Sequence, residues 1–188
     1  ARFAQLHPTA IGQKVEVIVE HFRRHVMKEI NGQAKAMVVT QSREAALKYY
    51  FGTRDYIKKQ GYTDVKALVA FSGELKVNGE TWAEPLINGF SESELPDKFN
   101  GSEYQILIVA EKYQTGFDQP KLCAMYVDRK LAGLQAVQTL SRLNRTEPGK
   151  NKTFVLDFQN SIEEIQDAFK PFYEVSEIEE TSDPNQIY

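Results

Sequence analysis

The stretch "YQILIVAEKYQTGFDQPKLCAMYVD", residues 104–128, holds two apolar runs on either side of a polar loop. "ILIVA" (106–110) and "LCAMYV" (122–127) read as buried strands, because each is a short, continuous apolar run. The loop between them, residues 111–120, carries charges, a glycine and an aspartate. A chain that breaks two core strands with so polar a connection is placing that loop at a working edge, on the lip of a sheet.

Working outward, residues 12–30 have Val15, Ile18, Val19, Phe22, Val26 and Ile30 at helical spacing, and Asn31-Gly32 closes the helix. Residues 35–39 read as a buried strand, and "TQS" after it supplies capping side chains. The spacing then predicts a helix over 44–60 ended by Gly61, and a strand over 65–71 followed by Ser72-Gly73. Residues 74–100 are the least regular part, rich in turn signals, with a short helix expected over 95–99. A helix over 133–146, a strand over 153–158 and a helix over 161–173 complete the pattern. Strands alternating with helices imply parallel pairing through right-handed crossovers, hence a three-layer α/β domain with a mainly parallel sheet. Such sheets bind ligands beyond the carboxyl ends of their strands. The loops after Val39, Phe71, Ala110 and Val127 are therefore expected to share one rim.

The chain has 188 residues, 41% hydrophobic and 26% charged, as in an ordinary globular protein with one substantial core. A net charge of −3 argues against a wholly basic nucleic-acid binder but leaves room for a local basic patch. Residues 113–152 hold seven Lys/Arg against three acids, a net +4, and residues 161–188 hold one base against eight acids, a net −7. Cys123, the only cysteine, lies in an apolar run and reads as core filler in a reducing compartment. No run approaches the ~18 apolar residues of a membrane span and no signal peptide is visible, so a cytoplasmic location is expected. The chain opens on Ala1 and closes on an acidic stretch, which suggests a segment of a longer protein. Residues 1–174 are read as one domain with an irregular insert at about 74–100, and 175–188 as an acidic tail leading toward a following domain.

The helix "GLQAVQTLSRLNRTEPGK" carries the sharpest chemical signal. At about 100° per residue, Gln138, Arg142 and Arg145 form one outward stripe, with Ala136, Val137, Leu140 and Leu143 on the buried side. Two guanidinium forks a turn apart match the oxygens of a phosphate chain whose charge builds during cleavage. Equally, such a stripe serves as a solvated surface with no catalytic role.

"QTLSRLNR" resembles motif VI of superfamily 2 helicases and translocases, Gln-x-x-Gly-Arg-x-x-Arg. "LIVAEKYQTGFDQP" is similar to their motif V, with Gly116 and Asp118 on its Gly-x-Asp, and "AMVVTQS" to motif IV. All three belong to the second RecA-like lobe, a domain of the P-loop NTPase type. More narrowly, "AMVVTQSREAA", "FSESELPDKF", "ILIVAEKYQTGFDQPKL" and "AVQTLSRLNRTEPGK…TFVLDF" resemble the motor (R) subunit of type I restriction-modification enzymes. The resemblance implies that Arg142 and Arg145 reach ATP phosphates across a cleft, with Gln138 positioning phosphate or water. It implies that Gly116 and Asp118 lie near the nucleotide, and that Thr40, Gln41, Ser42, Ser72 and Gly73 line the DNA side.

Ser141 replaces the usual motif VI glycine, and Ala110 stands where many helicases place a DNA-contacting threonine, a role Thr115 is expected to take. The sequence has no Gly-x-x-x-x-Gly-Lys-Ser/Thr phosphate loop. ATP and Mg²⁺ are therefore expected to be held mainly by a first lobe outside this segment, with neither bound tightly here. The implied whole is an ATP-dependent type I site-specific deoxyribonuclease that translocates duplex DNA, with the first lobe, specificity and methyltransferase subunits as partners and no membrane. The isolated segment is expected to be inactive. Two alternatives stand: a lobe of another superfamily 2 motor, or a non-catalytic scaffold.

His21 and His25 lie four apart on a helix without supporting ligands and are not read as a metal site. Asp157 reads as a strand-end cap, and Trp82, Tyr49 and Tyr50 as packing residues. Arg129 and Lys130 are candidates for phosphate contact at the rim.

Overall fold

The computed structural model describes residues 2–5, 10–113 and 117–179, with side chains described within 10–113 and 117–172. A six-stranded parallel sheet carries the fold, in the order β1 (Arg2–Gln5), β8 (Phe154–Asp157), β7 (Leu122–Asp128), β2 (Lys35–Thr40), β6 (Ile106–Ala110), β3 (Ala67–Ala70). The two apolar runs of the opening stretch are β6 and β7, which flank β2 at the centre. β1 has no counterpart in the sequence reading; it extends the sheet beyond β8.

Alternation along each central strand builds two cores. Ala36, Val38, Ile106, Ile108, Ala124 and Tyr126 face α1 (Ile11–His21) and α3 (Arg43–Gln60). Met37, Val39, Leu107, Val109, Met125 and Val127 face α5 (Leu95–Asn100), α6 (Gly133–Leu140) and α7 (Ile162–Glu179). Both strand faces are covered, so these strands read as continuous apolar runs. Three layers result, as expected. Cys123 is fully buried in β7, where burial pushes its thiol up to about 11.

Local signals act where they were read. Ser42 caps α3, its Oγ accepting from the Ala45 N–H at 3.0 Å, and Gly61 ends that helix at φ +72°. The first helix departs from its expected regular course. After His21 it widens into a π-turn (Phe22–Val26), then ends in α2 (Glu29–Gly32), where Ile30, Asn31 and Gly32 all have positive φ.

The segment read as an irregular insert is ordered. Asn78-Gly79 turns a hairpin of β4 (Glu74–Val77) and β5 (Glu80–Ala83), followed by α4 (Glu84–Asn88), a 3₁₀ turn (Glu92–Glu94) and α5. This segment covers the outer edge of β3. Asn88 accepts from Val69 N–H at 3.1 Å through Oδ1 and donates to the Val69 carbonyl at 2.7 Å, so a side chain completes the ladder where no strand follows.

Candidate functional site

The register fixes the rim. Thr40 pairs with Ala110 and Asp128, Ala70 with Val109, and Val127 with Asp157, so the carboxyl ends of five strands lie along one edge. The loops after β2, β3, β6 and β7 share that edge, as expected.

After β2, Gln41 and Ser42 are exposed, and Ser42 Oγ is engaged in the helix cap. Thr40 departs from the expectation of a DNA-facing hydroxyl. It is fully buried, and its Oγ1 donates to the Val109 carbonyl at 2.8 Å and to that of Ser42 at 3.2 Å. A β-branched residue in the central strand of a doubly covered sheet satisfies its hydroxyl internally. After β3, Ser72 and Gly73 are exposed, and the Arg43 guanidinium donates to the carbonyls of Ser72 and Glu74 at 3.2 and 2.9 Å. The loops after β2 and β3 are thereby tied together.

The loop after β6 begins with Glu111 and Tyr113 at φ +58° and +62°, a conformation non-glycine residues adopt only when their surroundings impose it. Thr115 and Gly116 lie outside the described residues. On the far side, Phe117 lies 4.7 Å from Tyr113 between ring centroids, and Asp118 pairs with Arg145 at 3.3 Å. Both partners of that pair are exposed.

The expected arginine stripe is not formed. α6 ends at Leu140, a 3₁₀ turn occupies Ser141–Asn144, and Arg145 leaves in an extended conformation. Side chains of a 3₁₀ turn are about 120° apart instead of 100°, so the outward face of the helix does not continue through it. Gln138 remains exposed. Arg142 turns inward beside Leu143; the residue is 8% exposed, and neither Nη1 nor Nη2 has a hydrogen-bond partner. Burial pulls its guanidinium down to about 10. The Thr139 hydroxyl, one turn earlier, is also buried without a partner. Nothing else among the described residues offers so concentrated an unmet demand for an acceptor.

After β7, Arg129 lies 3.9 Å from Glu111, with its Nη1 buried and unpartnered, while Lys130 pairs with Glu164 at 3.1 Å. Arg129 thus faces the loop after β6, and Lys130 belongs to a surface pair.

Beneath the rim lies a polar network that the sequence reading did not find. Asp128 receives Lys14 Nζ at 3.1 Å on both oxygens, the Tyr49 hydroxyl at 2.6 Å and Gln159 Nε2 at 2.7 Å. Burial alone would raise this carboxyl, yet the hydrogen bonds from Tyr49, Gln159 and Lys14 and the Lys14 charge hold it below the usual carboxylate range. Its members come from α1, α3, β7 and the connection after β8, so only the preference for polar side chains at strand ends hinted at it. Asp157 behaves as the expected cap, accepting from the Gln159 and Asn160 N–H groups at 2.8 Å each. Trp82 packs edge-on against Phe51 at 5.1 Å, consistent with the packing role expected of it.

A parallel three-layer sheet with these loops on its carboxyl rim has the fold of the second RecA-like lobe of helicases. The C-terminal domain of a DEAD-box protein superposes with a TM-score of 0.53 at 16% identity, covering 94% of this chain and 95% of that one. A fragment assigned to the HsdR subunit of a type I restriction enzyme from Vibrio vulnificus YJ016 superposes with a TM-score of 0.56 at 15% identity, covering 90% of this chain and 32% of that one.

Residues 84–160 match the family described as type I restriction enzyme subunit R domain 3. An endonuclease subunit assigned to the type I restriction enzyme MjaIXP of Methanocaldococcus jannaschii is 29% identical over 158 residues, 82% of this chain and 14% of that protein. The type I restriction enzyme SauMRSORF196P endonuclease subunit of Staphylococcus aureus (strain MRSA252) is 26% identical over 195 residues, 88% of this chain and 21% of that protein. The chain is thus similar to type I restriction enzyme endonuclease subunits, and it spans about a seventh to a fifth of the length of these two.

Proposed function

We propose that this lobe completes the ATP site of a type I restriction motor, with the phosphate loop and Mg²⁺ site supplied by a first lobe of the same subunit. The observation that supports this most is the desolvated, unpartnered guanidinium of Arg142 in the same motif as exposed Arg145. A buried cation without an acceptor is costly, and an anion delivered to it is bound strongly. Arg145, held by Asp118 in the lone lobe, exchanges that carboxylate for phosphate oxygens when the lobes close. Arg142 follows by a side-chain rotation out of its pocket, and Gln138 orients the attacking water. Gly116 lies against the nucleotide. Gln41, Ser42, Ser72, Gly73 and Thr115 face duplex DNA, where backbone amides and hydroxyls grip phosphates without reading sequence. Thr40 has no part in that contact, because its hydroxyl is consumed inside the sheet.

Closure on ATP and opening after hydrolysis then drive duplex DNA past the enzyme before cleavage. Specificity and methyltransferase subunits complete the assembly. Arginines so placed contribute about 10³ to 10⁵ in rate in characterised phosphoryl-transfer enzymes. The experiment is Arg145→Ala in the full-length subunit, assayed for DNA-stimulated ATPase. The expected outcome is a loss of at least about 10²-fold with folding intact. The alternative is a non-catalytic scaffold, in which Arg142 stays inside the fold. Near-normal turnover of the Arg145→Ala variant would establish that alternative.

A further inference from the structure

We propose that Lys112 is a positioning residue that locks the loop after β6 to the end of β3 through Glu84, so that the DNA-facing and nucleotide-facing loops of the rim move as one body. The inference rests on the motor reading above and deepens it by naming the joint between its two surfaces.

Glu84 opens α4 and is 1% exposed. Its Oε2 accepts from Lys112 Nζ at 2.7 Å and from the Phe71 N–H at 3.2 Å, so one carboxylate oxygen ties the loop after β6 to the residue preceding Ser72-Gly73. Glu84 Oε1 is buried without a partner, which leaves Lys112 as the cation that compensates this charge. Lys112 Nζ also reaches Glu92 at 2.8 Å, in the 3₁₀ turn that leads into α5. The ammonium of Lys112 thus joins its own loop to the start of α4 and to the 3₁₀ turn before α5. The backbone around it is strained, with left-handed residues on either side, a state that persists only under outside constraint. Burial raises the Glu84 carboxyl, against the pull of Lys112.

The joint has neighbours on both sides. Toward β3, Arg43 holds the carbonyls of Ser72 and Glu74 and so fixes the exposed Ser72-Gly73 turn. Toward the nucleotide, Tyr113 follows Lys112 directly and contacts Phe117, whose neighbour Asp118 pairs with Arg145. A force on the loops after β2 and β3 therefore has a continuous path of hydrogen bonds, ring contact and ion pair to the proposed phosphate-binding arginine. A helix-surface lysine would form no such path.

The test uses the full-length subunit with four variants: Lys112→Met, Lys112→Arg, Glu84→Gln and the Lys112→Met/Glu84→Gln pair. DNA-independent ATPase, DNA-stimulated ATPase and the DNA concentration giving half-stimulation are measured, with a melting curve for each protein. Lys112→Met is expected to keep DNA-independent turnover within about twofold and to lose about tenfold in stimulation, inside the span of measured site-to-site couplings. Lys112→Arg, which retains a cation able to reach Glu84, is expected to restore most of the stimulation. The pair is expected to be no worse than Lys112→Met alone, because both changes cut the same joint. Wild-type stimulation in Lys112→Met overturns the inference, as does equal loss of both activities tracking a lowered melting temperature. Arg145→Ala run in parallel separates the two readings. If Arg145→Ala abolishes turnover while Lys112→Met is silent, only the joint is wrong; if Arg145→Ala is silent, the motor reading falls and takes the joint with it.

Discussion

At Asp128 a carboxylate is held by a lysine, a tyrosine and a glutamine from three other segments of the chain, with the Lys14 and Asp128 side chains only 9% and 10% exposed. Removing one partner of such a pair leaves the other buried and uncompensated, so Asp128→Asn is expected to cost about 3–5 kcal/mol in urea unfolding. Replacing both charged partners, as in Lys14→Met/Asp128→Leu, is expected to recover most of that loss. The folded carboxyl lies below its unfolded value of about 3.9, so its stabilisation is complete above that pH and is lost as pH falls through the folded value. His21 acts at higher pH. Its Nδ1 lies 2.7 Å from the buried Tyr126 hydroxyl, and burial, with His25 adding to it, pulls it down to about 4. Unfolded histidine titrates near about 6.5, so between those values the unfolded chain binds the extra proton. Stability is therefore full above about pH 6.5 and falls by roughly 1–3 kcal/mol as pH drops toward about 4. Melting curves at pH 7.5 and 5 are expected to show this drop, and His21→Gln to flatten it.

Among the elements, the segment from β4 to α5 shows how an apparent insert can act as structure. Its Asn88 side chain replaces a missing neighbour for β3, and its Glu84 takes the next outward-facing N–H, that of Phe71. Asn88→Ala leaves the Val69 N–H and carbonyl without their partner. The expected result is a loss of about 1–3 kcal/mol and faster aggregation on heating, read by light scattering. α6 teaches the opposite lesson. Its apolar positions Ala136, Leu140 and Leu143 are buried as their spacing requires, yet the tightening after Leu140 separates the three polar residues that periodicity had placed together. A helical wheel holds only while the helix keeps its pitch.

For the whole molecule, charge separates into a cationic stretch over 113–152 and an acidic one over 161–188. Among the described residues, no helix is long and apolar enough to cross a membrane. With a motor reading, the isolated chain is expected to bind duplex DNA weakly and without sequence preference. If three or four phosphates are engaged, log K falls with log salt at a slope of roughly −3. Filter binding between about 50 and 200 mM salt measures that slope, and a value near zero would remove DNA from this rim. On the proposed function, ATP hydrolysis by the isolated chain is expected to be undetectable, since Arg142 and Arg145 would act on phosphates held by another lobe.

Sequence alone determined the layers and the rim. The runs over 106–110 and 122–127 are too apolar for an exposed strand, and the alternation of strands with helices leaves a parallel sheet as the solution. It also placed Ser42 and Gly61 at helix ends, because caps depend on one residue and its immediate backbone. Only the tertiary structure decided which polar side chains face outward. Arg142 went under, Thr40 turned its hydroxyl to Val109, and Lys112 found Glu84 across 28 positions. The reason is range: periodicity and capping are set within a few residues, whereas the partner of a buried polar group is supplied by whichever distant segment packs against it.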